Sequence, residues 1–240
     1  MIEWLRHADK APQIAIAGRT LPIELHRHPT AKRLILRVAP DGGAVRITLP
    51  RWCRSADGVA FAEARKDWLA RQLEKVPERR DPVAERQITY RGSILHVHWQ
   101  ENAARTARIE EDGLYVGGPE ETLGNRLQRW LEHEAARLFQ EDAAFFCARA
   151  GLPSAPVRLT RARRRWGSCS NKGVLRLNWR LIQAPDAVRR SVVAHEVAHL
   201  VHFDHSPAFH ALLGSVYDED LDCADAWLSQ HGRSLYASFG

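Results

Sequence analysis

The sequence predicts an α+β fold: a β-rich N-terminal half followed by a mainly helical C-terminal half. Two observations carry this. Before about residue 120 the apolar residues fall in short runs separated by Gly-bearing turns, as strands do. After it they recur at three- and four-residue steps over long stretches, as on helices.

In chain order, "IELHRH", "RLILRV" and "AVRITLP" are strand-like, and "PDGG" (Pro40 to Gly43) supplies the positive φ of a hairpin. "ADGVAFAEARKDWLARQLEKV" places Phe61, Trp68, Leu69, Leu73 and Val76 on one helical stripe. The charged, Pro-bearing "VPERRDPVAER" reads as a linker, dividing a region 1–85 from a domain 86–240. "ITYRGSILHVHW", turning near Gly92, and "ARIEEDGLYVGG", turning at Asp112-Gly113, are two further strand pairs. A long helix starts near Thr122, with Leu123, Leu127, Trp130, Leu131, Leu138 and Phe145 in step, and ends at Gly151 and Pro153. "APVRLT" and "GVLRLNWRLI" read as a short antiparallel sheet around "GSCSNKG". "APDAVRRSVVAHEVAHLVHF" then reads as a helix capped by Asp186. No internal repeat or low-complexity tract is legible.

The 240 residues are 45% hydrophobic and 27% charged, the balance of an ordinary globular protein. No apolar run approaches the roughly 20 residues a bilayer requires, so no membrane partner is expected. The N-terminus lacks the apolar core of a secretory signal. Cys53, Cys147, Cys169 and Cys223 form no CxxC pair, which argues against a disulfide framework or a thiolate zinc site and for reduced thiols in the cytoplasm. The net charge of +6 comes mostly from arginine, densest at Arg161, Arg163, Arg164 and Arg165, a candidate contact for nucleic acid or nucleotide.

The chemistry concentrates in "AHEVAHLVHFDHSPAFH", residues 194–210, which holds five histidines. Residues four apart share a helix face, so His195 and His199 can aim at one ion. Glu196, about 100° round, sits beside it as a general base for bound water. A catalytic zinc usually takes three protein ligands and leaves a position for water. His205 supplies the third if the chain turns back, with Asp204 tolerating left-handed geometry and Ser206-Pro207 starting a new helix. His202 is the rival, but 195, 199 and 202 would spread ligands along about 10 Å of helix axis, too far for one ion. Glu219 or Asp220 would serve if the third ligand were a carboxylate. Burying bare imidazoles beside Val188, Val192, Val193, Val197, Leu200 and Val201 is costly, and a metal relieves that cost.

"RRWGSCSNKGVLRLNWRLIQAP" followed by "VVAHEVAHLVHFDHSPAFHALL" resembles the YgjP-like metallopeptidases, relatives of the SprT-like zincins. The shared features are RWGSC, a spacer, LNWRLI-AP, and HExxH followed after five residues by His-Ser with a nearby Phe. They span residues 164 to 213, and the likeness in the N-terminal strands is one of layout more than of letters. The resemblance implies a zincin-like domain over 86–240, zinc on His195, His199 and His205, and Glu196 as base. Where the family often has HELCHL this chain has HEVAHL, away from the ligand pair. The spacing also matches the metzincin pattern, but His202 stands where that pattern has glycine.

The expected activity is therefore zinc-dependent hydrolysis, of peptide bonds first, with "GVLRLNW" as the edge on which an extended substrate pairs. Arg165, Arg180, His202 and Tyr236 are candidates for stabilising the developing oxyanion. Trp166 and Cys169 read as core residues under the metal helix. Hydrolysis of a nucleoside triphosphate, its phosphates held by the arginine cluster, uses the same water on another bond. A nucleic-acid-associated module with structural zinc is the non-enzymatic alternative. Manganese, iron or nickel also suit imidazole ligands. His26, His28, His96 and His98 alternate on strands and read as solvated.

Overall fold

Alternation in the first strands buries one face: Ile14, Ile16, Leu21, Ile23, Val45, Ile47 and Leu49 are all inaccessible while their neighbours face out. The computed structural model describes residues 12–39 and 41–239. The stretch 1–11, read above for a secretory signal, and Pro40 of the expected turn lie outside them. The chain divides into two compact units meeting between Arg79 and Arg80.

The first unit holds β1 (Gln13–Ile16), β2 (Arg19–Arg27), β3 (Ile35–Val38) and β4 (Val45–Leu49) in the order β1-β2-β4-β3, with β2 and β4 parallel and the outer pairs antiparallel. Ala17 and Gly18 both take positive φ, which makes the tight turn joining β1 to β2. The single expected helix is two, α1 (Ser55–Glu63) and α2 (Lys66–Leu73), because Arg65 leaves helical geometry at φ −123°, ψ 24°. Their buried face is Val59, Ala62, Leu69 and Leu73, which closes this unit's core. Phe61 and Trp68 are not on it: Phe61 lies under the Arg65 guanidinium and Trp68 is 37% exposed.

The second unit opens with β5 (Gln87–Tyr90), β6 (Ser93–Gln100), β7 (Arg108–Glu110) and β8 (Gly113–Gly117) in the order β5-β6-β8-β7. Again the middle pair is parallel and the outer pairs antiparallel, and again the first turn, Arg91-Gly92, has two positive φ values. The four-strand pattern of the first unit thus recurs, and the expectation of no internal repeat is corrected at the level of topology. The repeat escapes the eye because little beyond "QI" and the turn glycine is shared between the two segments.

α3 (Leu123–Arg149) spans this unit's main core, burying Leu123, Leu127, Leu131, Leu138, Phe139 and Phe146. Phe145 faces outward instead, beneath the guanidinium of Arg190 at 5.1 Å. Gly151 closes the helix at φ +69°.

The short sheet differs from expectation. "GSC" is itself a strand, so β9 (Val157–Thr160), β10 (Gly167–Cys169) and β11 (Leu175–Asn178) form the order β10-β11-β9. β11 pairs antiparallel with β10 but parallel with β9, so the sheet is mixed and "GVLRLNW" lies at its centre rather than its edge. After Asn178 the chain turns into a 3-10 segment (Trp179–Gln183), because the Asn178 side-chain oxygen Oδ1 accepts from Arg180 N–H and caps it.

α4 (Asp186–Ala198) follows, with Pro185 at its cap and Asp186 inside the first turn, where it pairs with Arg91 and Arg189. Arg189 also bonds buried Asp142 of α3 at 2.8 Å, tying α4 to the long helix. α4 ends before "LVHF", and Val201 is 46% exposed. α5 (Pro207–Val216) and α6 (Leu221–His231) complete the unit. Among the described residues no helix is long and apolar enough to cross a membrane.

Candidate metal centre

One helical turn separates His195 from His199, and the end of α4 lets the chain double back. His199 is the helix C-cap, and two and three residues past it the N–H groups of Val201 and His202 both return to the Ala198 carbonyl. Asp204 is not left-handed; its carboxylate accepts from Ser206 N–H at 3.4 Å and shapes the bend that way. Ser206 then caps α5 by accepting from Phe209 N–H, with Pro207 in the first turn. This turn returns His205 to the other two rings.

The Nε2 atoms of His199 and His205 each lie 3.2 Å from Nε2 of His195. Three nitrogens about 2.1 Å from one tetrahedral ion would be separated by roughly 3.4 Å, which matches these two separations, and all three ligand atoms lie within 4.8 Å of one another. His199 Nδ1 lies 2.9 Å from the His202 carbonyl, which fixes the ring and leaves Nε2 free as a ligand. That carbonyl is the contribution of His202, whose own ring stays outside the triad. Phe209, fully buried, seats all three imidazoles, its centroid 5.0, 4.6 and 4.9 Å from those of His195, His199 and His205. Burial, then the neighbouring imidazoles His199, His205 and His210, push His195 down to about 4, so it stays neutral and able to coordinate near neutral pH.

Glu196 faces β10. Its Oε2 is buried with no partner, while the Cys169 N–H donates to the carboxylate, hence to Oε1. A Cβ on Gly167 would stand 2.4 Å from Oε1, so only glycine leaves room for this carboxylate. Burial pushes Glu196 up to about 7 against the opposing pull of Arg165 and the Cys169 N–H. An orphaned carboxylate oxygen on the residue next to His195, together with three converging imidazole nitrogens, suits a cation and its water, and the donor set fits zinc.

The remaining candidates sit apart from the triad. Arg165 is exposed and acts on Glu196 through its charge. Arg180 is buried, stacked over Trp179 and Tyr236, and donates to the Phe239 carbonyl, so its guanidinium is committed to the C-terminal segment. Tyr236 receives Asn178 Nδ2 at 3.3 Å. Arg161 pairs with Glu132, and Arg161, Arg163 and Arg164 are all exposed. Glu219 pairs with Arg190, and Asp220 caps α6. His26, His28, His96 and His98 belong to no triad among the described residues. Trp166 is half-buried against Gly232 and Tyr236. Sequence reasoning missed the use of RWGSC: Gly167 by its missing side chain and Cys169 by its backbone N–H shape the seat of the base. Phe209 as a platform was foreshadowed only by its place beside the third histidine.

The family model described as YgjP-like, metallopeptidase domain matches residues 32–231. No curated protein and no solved structure is significantly similar to the chain.

Proposed function

The chain belongs to the YgjP-like metallopeptidase family, and on that premise we propose that it is a zinc-dependent peptidase with Glu196 as its general base. The observation that carries this is the convergence of His195, His199 and His205 beside the unpartnered Glu196 Oε2. A zinc ion on those nitrogens supplies positive charge that acidifies a water and polarises a carbonyl.

Everything else falls to the chain. Oε1 is anchored to Cys169 N–H, so Oε2 is the oxygen that takes a proton from the attacking water and later passes it to the leaving amine. A carboxyl group poised near neutrality can do both. Substrate would be presented by β10, an edge strand of the short sheet. Asn178 N–H bonds the Trp166 carbonyl and Ser170 N–H bonds the Val174 carbonyl, so by antiparallel alternation the backbone groups of Gly167 and Cys169 point outward. The Cys169 N–H serves Glu196, and Gly167 keeps an N–H and a carbonyl for an extended peptide next to the base.

The test is Glu196→Gln in zinc-loaded protein, assayed on a peptide library and on nucleoside triphosphates. The expected outcome is a loss of peptide cleavage of about 10²-fold or more with zinc content unchanged. Hydrolysis of the triphosphates alone, or cleavage indifferent to the substitution, overturns the reading.

A further inference from the structure

Several arginines of the second unit have a carboxylate to answer them, as Arg86 has Glu120, Arg149 has Asp218 and Arg161 has Glu132. Three around the start of α3 do not. Arg105, Arg126 and Arg129 line one groove of about 650 Å³ with Trp130 and His133, and none of the three forms an ion pair among the described residues. The one carboxylate in the lining, Glu134, is already held by Arg137 at 2.6 Å and by the Tyr90 hydroxyl at 2.9 Å.

The grouping is built into the fold. Arg126 is fixed by donating to the Thr122 hydroxyl at 2.6 Å and the Pro119 carbonyl at 2.8 Å, which leaves its buried Nε without a partner. Gly118, at φ +90°, lets Arg105 and Arg126 approach: a Cβ there would meet Arg105 Cγ at 2.9 Å and Arg126 Nη1 at 3.2 Å. Gathering positive charges without an acid is unfavourable, and burial together with Arg105 and Arg129 lowers the Arg126 pKa accordingly. A bound anion would reverse that cost, and guanidinium groups match phosphate oxygens in charge and geometry.

We propose that this groove binds the phosphate of a small phosphate ester, with Arg105, Arg126 and Arg129 as its contacts. The volume lies within the roughly 300–1,000 Å³ usual for small-ligand sites, with room for an organic group beside the half-buried Trp130. No residue of the groove belongs to the histidine triad, so the site is separate from peptide hydrolysis and does not depend on that reading.

The test is calorimetric titration of the full chain with inorganic phosphate, adenosine monophosphate, glucose 6-phosphate and a single-stranded oligonucleotide. At least one small ester should bind more tightly than inorganic phosphate. Arg105→Ala and Arg129→Ala should each weaken it about tenfold, from the loss of one charge-assisted contact. Arg158→Ala, which removes an equal charge from an exposed arginine elsewhere, should leave it unchanged. Should either alanine variant fail to fold, Arg105→Gln at the same exposed position carries the comparison. Binding of the oligonucleotide alone, of phosphate without preference for an ester, equal weakening by Arg158→Ala, or no binding at all overturns the proposal.

Discussion

Gly167 and Glu196 are a matched pair: the base occupies the volume a side chain would take. Gly167→Ala places a methyl group 2.4 Å from Oε1, so the carboxylate must swing away or β10 must shift. Peptide cleavage should drop at least about tenfold while zinc stays bound, since a displacement of about 1 Å near the chemistry is costly. Cleavage at the wild-type rate would detach β10 from the base. The titration of His195 and Glu196 predicts an opposition in the zinc-stripped protein. Burial lowers His195 from 6.5 to about 4, so the folded state binds fewer protons there and loses stability as pH falls from about 6.5 to 4. Burial raises Glu196 from 4.5 to about 7, so the folded state binds more protons and gains stability as pH falls from about 7 to 4.5. Glu196→Gln removes the second effect, so its melting temperature should fall more steeply between pH 7 and 4.5 than that of the wild type. Parallel curves would show that these two groups do not set the balance.

Among the elements, α4 and α5 divide the work: α4 and its C-cap carry His195, Glu196 and His199, and the capped start of α5 returns His205 to them. Phe209 joins them, buried and touching every ligand ring. Phe209→Ala should cost about 3–5 kcal/mol in denaturant unfolding and weaken zinc binding, read by competition with a chelator. Loss of stability with unchanged zinc affinity would make Phe209 a core residue only. The pairing of His195 with His199 and the cap at Ser206 were legible because each rests on contacts within a turn or two. β10 was not legible: three residues, "GSC", carry no period, and they form a strand only because β11 lies alongside. For the same reason β11 was mistaken for an edge, and the exposed Phe145 for a core residue on a helix whose neighbours were unknown.

Among the described residues the two compact units have separate cores, one built on β1–β4 with α1 and α2, the other on β5–β11 with α3 to α5, beside which Ala184, Val188, Ala224 and Leu235 form a smaller cluster. Residues 80–240 contain His195, His199, His205 and Glu196. Expressed alone, this segment should fold and bind one zinc, checked by circular dichroism and elemental analysis. An unfolded or zinc-free product would show that the first unit is needed to complete the centre. The class of fold was readable from periodicity alone, whereas the recurrence of one strand order in both units was not, since pairing partners leave little trace in the letters of either segment.

By itself the sequence determined the α+β character, the helix bearing HExxH and the candidacy of His205, because covalent geometry fixes which side chains share a face and how far a short turn reaches. Only the tertiary structure decided that Glu196 is seated by Gly167 and Cys169, that β10 lies at an edge of its sheet, and that three arginines gather at α3 without an ion pair among the described residues. Those features depend on surfaces brought together from distant parts of the chain, and local spacing does not encode such meetings.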